Sequence, residues 1–128
     1  MKKQQHRILD TERRLISEND RYFWYVQFNS KVFRIPKSKL LSETEYHINH
    51  LPKLVKGRAR VNINKVEYDL MDLVLVSFSK YYRDKHIKTE PKDGEPLNCH
   101  GDNIRVLRTD LTDGLIRVQP KNLVGSYL

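Results

Sequence analysis

Residues 21–36 constrain the fold more than any other stretch of this chain. Tyr22-Phe23-Trp24-Tyr25-Val26-Gln27-Phe28 is aromatic and β-branched, and Asn29-Ser30 suits a tight turn. Lys31-Val32-Phe33-Arg34-Ile35 then alternates charged with apolar residues until Pro36 ends the run. Two β-favouring runs about a short polar turn predict an antiparallel hairpin, because alternate side chains of each strand then share one face. A second unit of the same kind follows at Arg58-Ala59-Arg60-Val61-Asn62-Ile63-Asn64-Lys65-Val66-Glu67-Tyr68. From Asp69 the period changes. Leu70, Leu73, Val74, Phe78 and Tyr81 recur at intervals of three and four, with Asp69 and Asp72 at the start and Lys80, Arg83 and Lys85 at the end. Acid first and base last complements a helix dipole, so one main helix is predicted here. The fold class expected is α+β: two antiparallel hairpins with one main helix.

The rest of the chain is less regular. Residues 1–20 hold, beyond Met1, only Ile8, Leu9, Leu15 and Ile16 as large apolar positions and read as a polar arm that packs late or against a partner. Residues 37–56, with Pro52 in their midst, read as a short helix or irregular connection ending in a turn at Gly57. The expected organisation is therefore an arm over 1–20, a single α+β domain over 21–110, and a C-terminal strand and tail over 111–128. With 128 residues there is room for one compact domain. Apolar runs such as Leu73–Val76 are far short of the roughly 20 residues that span a bilayer, so no membrane association is expected. A single cysteine, Cys99, allows no internal disulfide and suits a reducing compartment.

Within residues 58–107 lies a spaced set: Asp93-Gly94, Asn98 four residues beyond Gly94, and Asn103-Ile104 five residues after that. Fifteen residues upstream of Asp93 stands Phe78, closing Leu73-Val74-Leu75-Val76-Ser77-Phe78. Both phrases resemble the HNH endonucleases of phages and mobile introns. There a Leu-Val-Ala-x-x-Phe helix precedes a run like Asn/Asp-His-x-Asp-Gly-x-x-x-Asn-Asn-x-x-x-Asn-Leu. The resemblance implies a strand-turn-helix remnant over residues 88–110. It also implies that the catalytic chemistry is gone. Pro91 occupies the slot of the family's catalytic His, and Asp72 stands where its earlier His would be. A proline ring offers neither a proton acceptor nor a metal ligand, so water activation would have no base. A degenerate HNH-like protein of phage or intron type, without catalysis or cofactor, is the expectation.

Charge placement points to the partner. Residues 31–65 carry nine basic side chains against two acidic, and so hold +7 of the chain's formal +8. A basic segment between near-neutral ones attracts a polyanion by releasing condensed counterions. The candidate contacts are Lys53, Lys56, Arg58, Arg60 and Lys65, with Arg105 and Arg108 nearby. Nucleic acid, duplex DNA first, is the expected partner, in a bacterial cytoplasm or a virion. The alternative is a structural or assembly protein of a phage virion, oligomeric or docked on viral subunits, which uses the same scaffold for subunit contacts. Its polar start and the apolar last residues of Val118–Leu128 motivate that version.

Three further constellations carry weaker chemistry. Glu90 with Asn98 or Asn103 supplies too few oxygens for a firm Mg²⁺-type site, and turn formation accounts for the same residue types. His47-x-x-His50 could meet Cys99 and His100 around zinc, but no feature of the sequence requires the two pairs to converge. Of the aromatic run, alternation sends either Tyr22 and Trp24 or Phe23 and Tyr25 inward, which core packing explains without stacked bases.

Overall fold

The structure, a computed structural model, describes residues 8–39, 45–79, 87–111 and 114–118. It is mixed α+β and mostly β. In chain order the elements are β1 (Arg13–Glu18), β2 (Tyr22–Gln27), β3 (Val32–Pro36), a 3-10 turn (Lys37–Lys39), β4 (Ile48–His50), β5 (Lys53–Val55), β6 (Arg58–Ile63), β7 (Val66–Asp69), α1 (Leu70–Phe78), β8 (Ile87–Pro91), a second 3-10 turn (Gly101–Asn103), β9 (Ile104–Leu111) and β10 (Gly114–Val118). They form three antiparallel sheets, ordered β1-β2-β3-β4, β5-β6-β7 and β10-β9-β8.

The first hairpin is β2-β3, with Val26 opposite Val32 and Tyr22 opposite Pro36. Asn29 closes its turn by accepting from the Lys31 amide at 3.0 Å, and Ser30 takes the left-handed conformation at φ 73°. The second is β6-β7, joined by Asn64 and Lys65 at φ 48° and 69°; two positive φ angles in a two-residue loop match the right-handed twist of the strands. Asp69 caps α1, its carboxylate accepting from the Asp72 amide at 3.0 Å. The expected helix residues from Lys80 to Lys85 and most of the C-terminal tail lie outside the described residues.

One core joins the three sheets. Leu70, Leu73, Val74 and Phe78 of α1 pack with Trp24, Val26, Phe28 and Val32, with Ala59, Val61 and Ile63, and with Cys99, Ile104 and Val106. Each such large side chain contributes about 1.5–3 kcal/mol by leaving water. Phe28 and Phe78 meet edge to face, centroids 5.3 Å apart. Alternation divides the aromatic run as expected: Trp24 is buried and Tyr22 packs on this core, while Phe23 and Tyr25 pair with Ile35 and Phe33 on the other face.

Three sequence expectations need correction. Residues 8–20 are no loose arm: Ile8 is buried and β1 pairs with β2 as an edge strand. A bulge between Leu15 and Ser17 breaks the period there, leaving Leu15 outward and Ile16 against the core, so no alternation showed in the sequence. Residues 48–55 are two three-residue strands rather than a helix or irregular connection. Pro52 interrupts them, and such strands are too short to display a period. Residues 88–107 are strand, turn and strand, with only a 3-10 turn where a helix was expected. Ile104 and Val106 are buried in alternation with half-exposed Arg105, which suits β9 pairing with β8.

Candidate nucleic-acid interface

β6 carries two rows of side chains. Ala59, Val61 and Ile63 enter the core, so Arg58, Arg60 and Asn62 stand on the opposite face. Pairing places Lys53 directly opposite Arg60 on β5, and Glu67 opposite Asn62 on β7. Lys56 lies in the turn before β6 and Lys65 in the turn after it, both exposed and both with positive φ. Among the described residues none of Lys53, Lys56, Arg60 and Lys65 forms an ion pair, and the Nε of Arg60 is buried without a hydrogen-bond partner.

Arg58 has a different fate. Its Nε and one terminal nitrogen fork onto Asp69 at 2.8 and 2.9 Å, and its other terminal nitrogen donates to the Thr89 carbonyl at 2.8 Å. The first terminal nitrogen also reaches the Thr89 hydroxyl at 2.8 Å and Asp72 at 3.4 Å. The bond to Asp69 holds the Arg58 pKa above its ordinary value, against desolvation. This guanidinium ties β6 to the cap of α1 and to β8, so the phosphate contact expected of it is replaced by an internal role. Arg105 pairs with Glu90 at 3.1 Å on the β8-β9-β10 sheet. Arg108 lies on β9 as well, so these two belong to a different sheet from the other five.

The Asp93 loop is self-contained. Asp93 accepts from the Glu95 amide at 2.9 Å, the Asn98 side chain at 2.8 Å and the Asn103 side chain at 3.0 Å, and these bonds hold its carboxyl below the usual range. Asn103 also donates to the Asn98 carbonyl at 2.8 Å. The residues that carry the HNH resemblance are thus bonded to one another, and Glu90 is engaged by Arg105. Nor do the four residues weighed for zinc converge. His47 stacks on Phe33 and bonds Glu45, His50 bonds Arg34, His100 bonds Asp10, and burial pushes the Cys99 thiol up to about 11. No group of three or more potential metal ligands occurs among the described residues.

Sequence reasoning missed Arg34. It stands on β3 opposite Trp24, with a terminal nitrogen 2.8 Å from His50 Nε2 and its guanidinium 4.8 Å from the centre of the Tyr22 ring. A charged residue at an inward position of an alternating strand was the available signal. No helix of the described residues is long and apolar enough to cross a membrane. No family model, no curated protein and no solved structure matches the chain.

Proposed function

We propose that this chain is a non-catalytic nucleic-acid-binding protein, acting in a bacterial cytoplasm or a virion. The observation that carries the reading is the basic set on and beside β6: Arg60 directly opposite Lys53, with Lys56 and Lys65 in the flanking turns, all four without ion pairs among the described residues. Such a surface neutralises phosphates, and four contacts give binding a log–log salt slope of about −3 to −4 on duplex DNA. Catalysis is not part of the proposal. Pro91 supplies no base, and one Asp72 carboxylate oxygen accepts from the Thr89 hydroxyl at 2.7 Å and from Arg58 at 3.4 Å.

Fluorescence anisotropy with labelled duplex DNA at low and moderate salt tests the reading. Replacing Lys53, Lys56, Arg60 and Lys65 together with Ser should abolish both affinity and slope. Absence of binding by the unaltered protein at either salt overturns the proposal, and cleavage of plasmid DNA with Mg²⁺ or Mn²⁺ overturns its non-catalytic part. A second reading, subunit assembly, draws support from the edge strand β5, whose three residues are all exposed, Leu54 at 53% and neighbouring Leu51 at 82%. Light scattering after size exclusion decides that one; a strict monomer counts against it.

A further inference from the structure

The residues from Ile48 to Val55 belong to two sheets. Ile48–His50 pairs with β3, Lys53–Val55 pairs with β6, and Leu51-Pro52 makes the corner. His50 sits just before that corner and bonds across it. Its Nε2 lies 2.8 Å from an Arg34 terminal nitrogen and its Nδ1 lies 2.9 Å from the Asn62 carbonyl oxygen of β6. A guanidinium can only donate and a carbonyl can only accept. The ring must therefore accept at Nε2 and donate at Nδ1, which only the neutral Nδ1–H tautomer does.

We propose that His50 is an acid-sensitive latch that fastens the four-stranded sheet to the β5-β6-β7 sheet while neutral and opens when protonated. A proton on Nε2 turns the acceptor of Arg34 into a second donor and sets two cations in contact. The surroundings offer no relief. Arg34 faces the ring from β3 and Asn62 presents only its carbonyl from β6; the charged residues of the β5-β6-β7 sheet are Lys53, Arg58, Arg60, Glu67 and Asp69, of which Asp69 is committed to Arg58. Among the described residues the histidine–carboxylate pairs are those of His47 and His100, not of His50. Burial and the Arg34 charge hold the His50 pKa below its ordinary value, although its bond to Asn62 works the other way. The sign follows: the unfolded chain takes up this proton first, so the latch contribution is whole above about pH 6.5 and is lost as pH falls toward the folded value. Arg34, once released, still has the Tyr22 face to rest on.

Imidazole ¹⁵N spectra of the unaltered protein test the first half. They should show the Nδ1–H tautomer at His50, and an Nε2–H tautomer overturns the latch. Hydrogen exchange tests the second half, comparing β4 and β6 amides at about pH 7.5 and about pH 5.5, either side of the ordinary histidine value. After correction for intrinsic rates, exchange should be faster at the lower pH by roughly three-fold or more. His50→Gln keeps one acceptor and one donor but cannot titrate, so it should show no such difference, whereas His47→Gln and His100→Gln should retain it. An unaltered protein without the difference, or a His50→Gln variant that keeps it, overturns the proposal. Neither result depends on whether nucleic acid binds.

Discussion

Arg58→Ala separates the internal role of this guanidinium from a contact role. Removing it leaves the Asp69 carboxylate, whose side chain is only 14% exposed, without the forked partner at 2.8 and 2.9 Å, and strips the Thr89 carbonyl and hydroxyl of donors. Breaking a fully buried pair from one side costs about 3–5 kcal/mol, and breaking an exposed pair costs about 0–1. Arg58 itself is 30% exposed, and Asp69 keeps the Asp72 amide as donor, so the loss should fall between those limits, at about 2–3 kcal/mol. Urea denaturation followed by circular dichroism reads it directly: at a slope of about 1.5 kcal/mol per molar the midpoint should fall by about 1.3–2 M. Arg58→Lys should recover less than half, since one ammonium cannot reproduce a fork. Arg60→Ala should move the midpoint little. Loss below about 0.5 kcal/mol for Arg58→Ala, or full recovery by Lys, refutes the internal role.

Lys65→Gly should stabilise the protein by about 0.5 kcal/mol in a thermal melt, because Lys65 holds a left-handed φ of 69° that glycine adopts without steric cost; it should also reduce the salt slope of DNA binding by about one unit. Gly94→Val should destabilise by about 1 kcal/mol or more through its φ of 78° alone, since no atom lies near enough to clash with an added Cβ; an unchanged melt would mean the turn carries no strain. The depressed Asp93 carboxyl contributes stability that is whole above its unfolded pKa of about 4 and is lost as pH falls through the lower folded value; amide spectra of Glu95 and side-chain spectra of Asn98 and Asn103 should follow that titration, and Asp93→Asn should remove it.

The legible parts of the fold were those whose periods run long enough to be read. β6-β7 alternates without interruption across a polar turn, β2-β3 sets two aromatic and β-branched runs about one, and α1 repeats its apolar residues at helical spacing behind a capping Asp69. β1 was hidden by its bulge, and β4 and β5 by their length and by Pro52 between them. The candidate site was legible as a charge count but not in its detail. Sequence alternation placed Arg58 and Arg60 on one face, correctly, yet it could not show that one is drawn onto Asp69 and Thr89 while the other is not. Those partners lie 11 and 31 residues away, and such contacts depend on how the sheets pack rather than on any local pattern.

The register of β6 makes that difference informative. Asp69 is the cross-strand neighbour of Arg60, not of Arg58, yet its carboxylate is committed to Arg58 and to the cap of α1. Arg60 is left with Lys53 as its opposite neighbour on β5. Like charges directly opposite in an antiparallel pair destabilise it, by about 0.2–1 kcal/mol. A surface selected for stability alone would place an acid at one of these positions. Lys53→Glu therefore discriminates between a solvated basic surface and a binding one. It should raise stability by a few tenths of a kcal/mol and at the same time weaken DNA binding by more than a neutral Lys53→Ser, because it both satisfies Arg60 and repels phosphate. Opposite signs for folding and binding are the expected result. A Lys53→Glu protein that binds DNA as well as the unaltered chain would place the contact elsewhere, and one that is less stable would show that Lys53 and Arg60 are not neighbours in the folded protein.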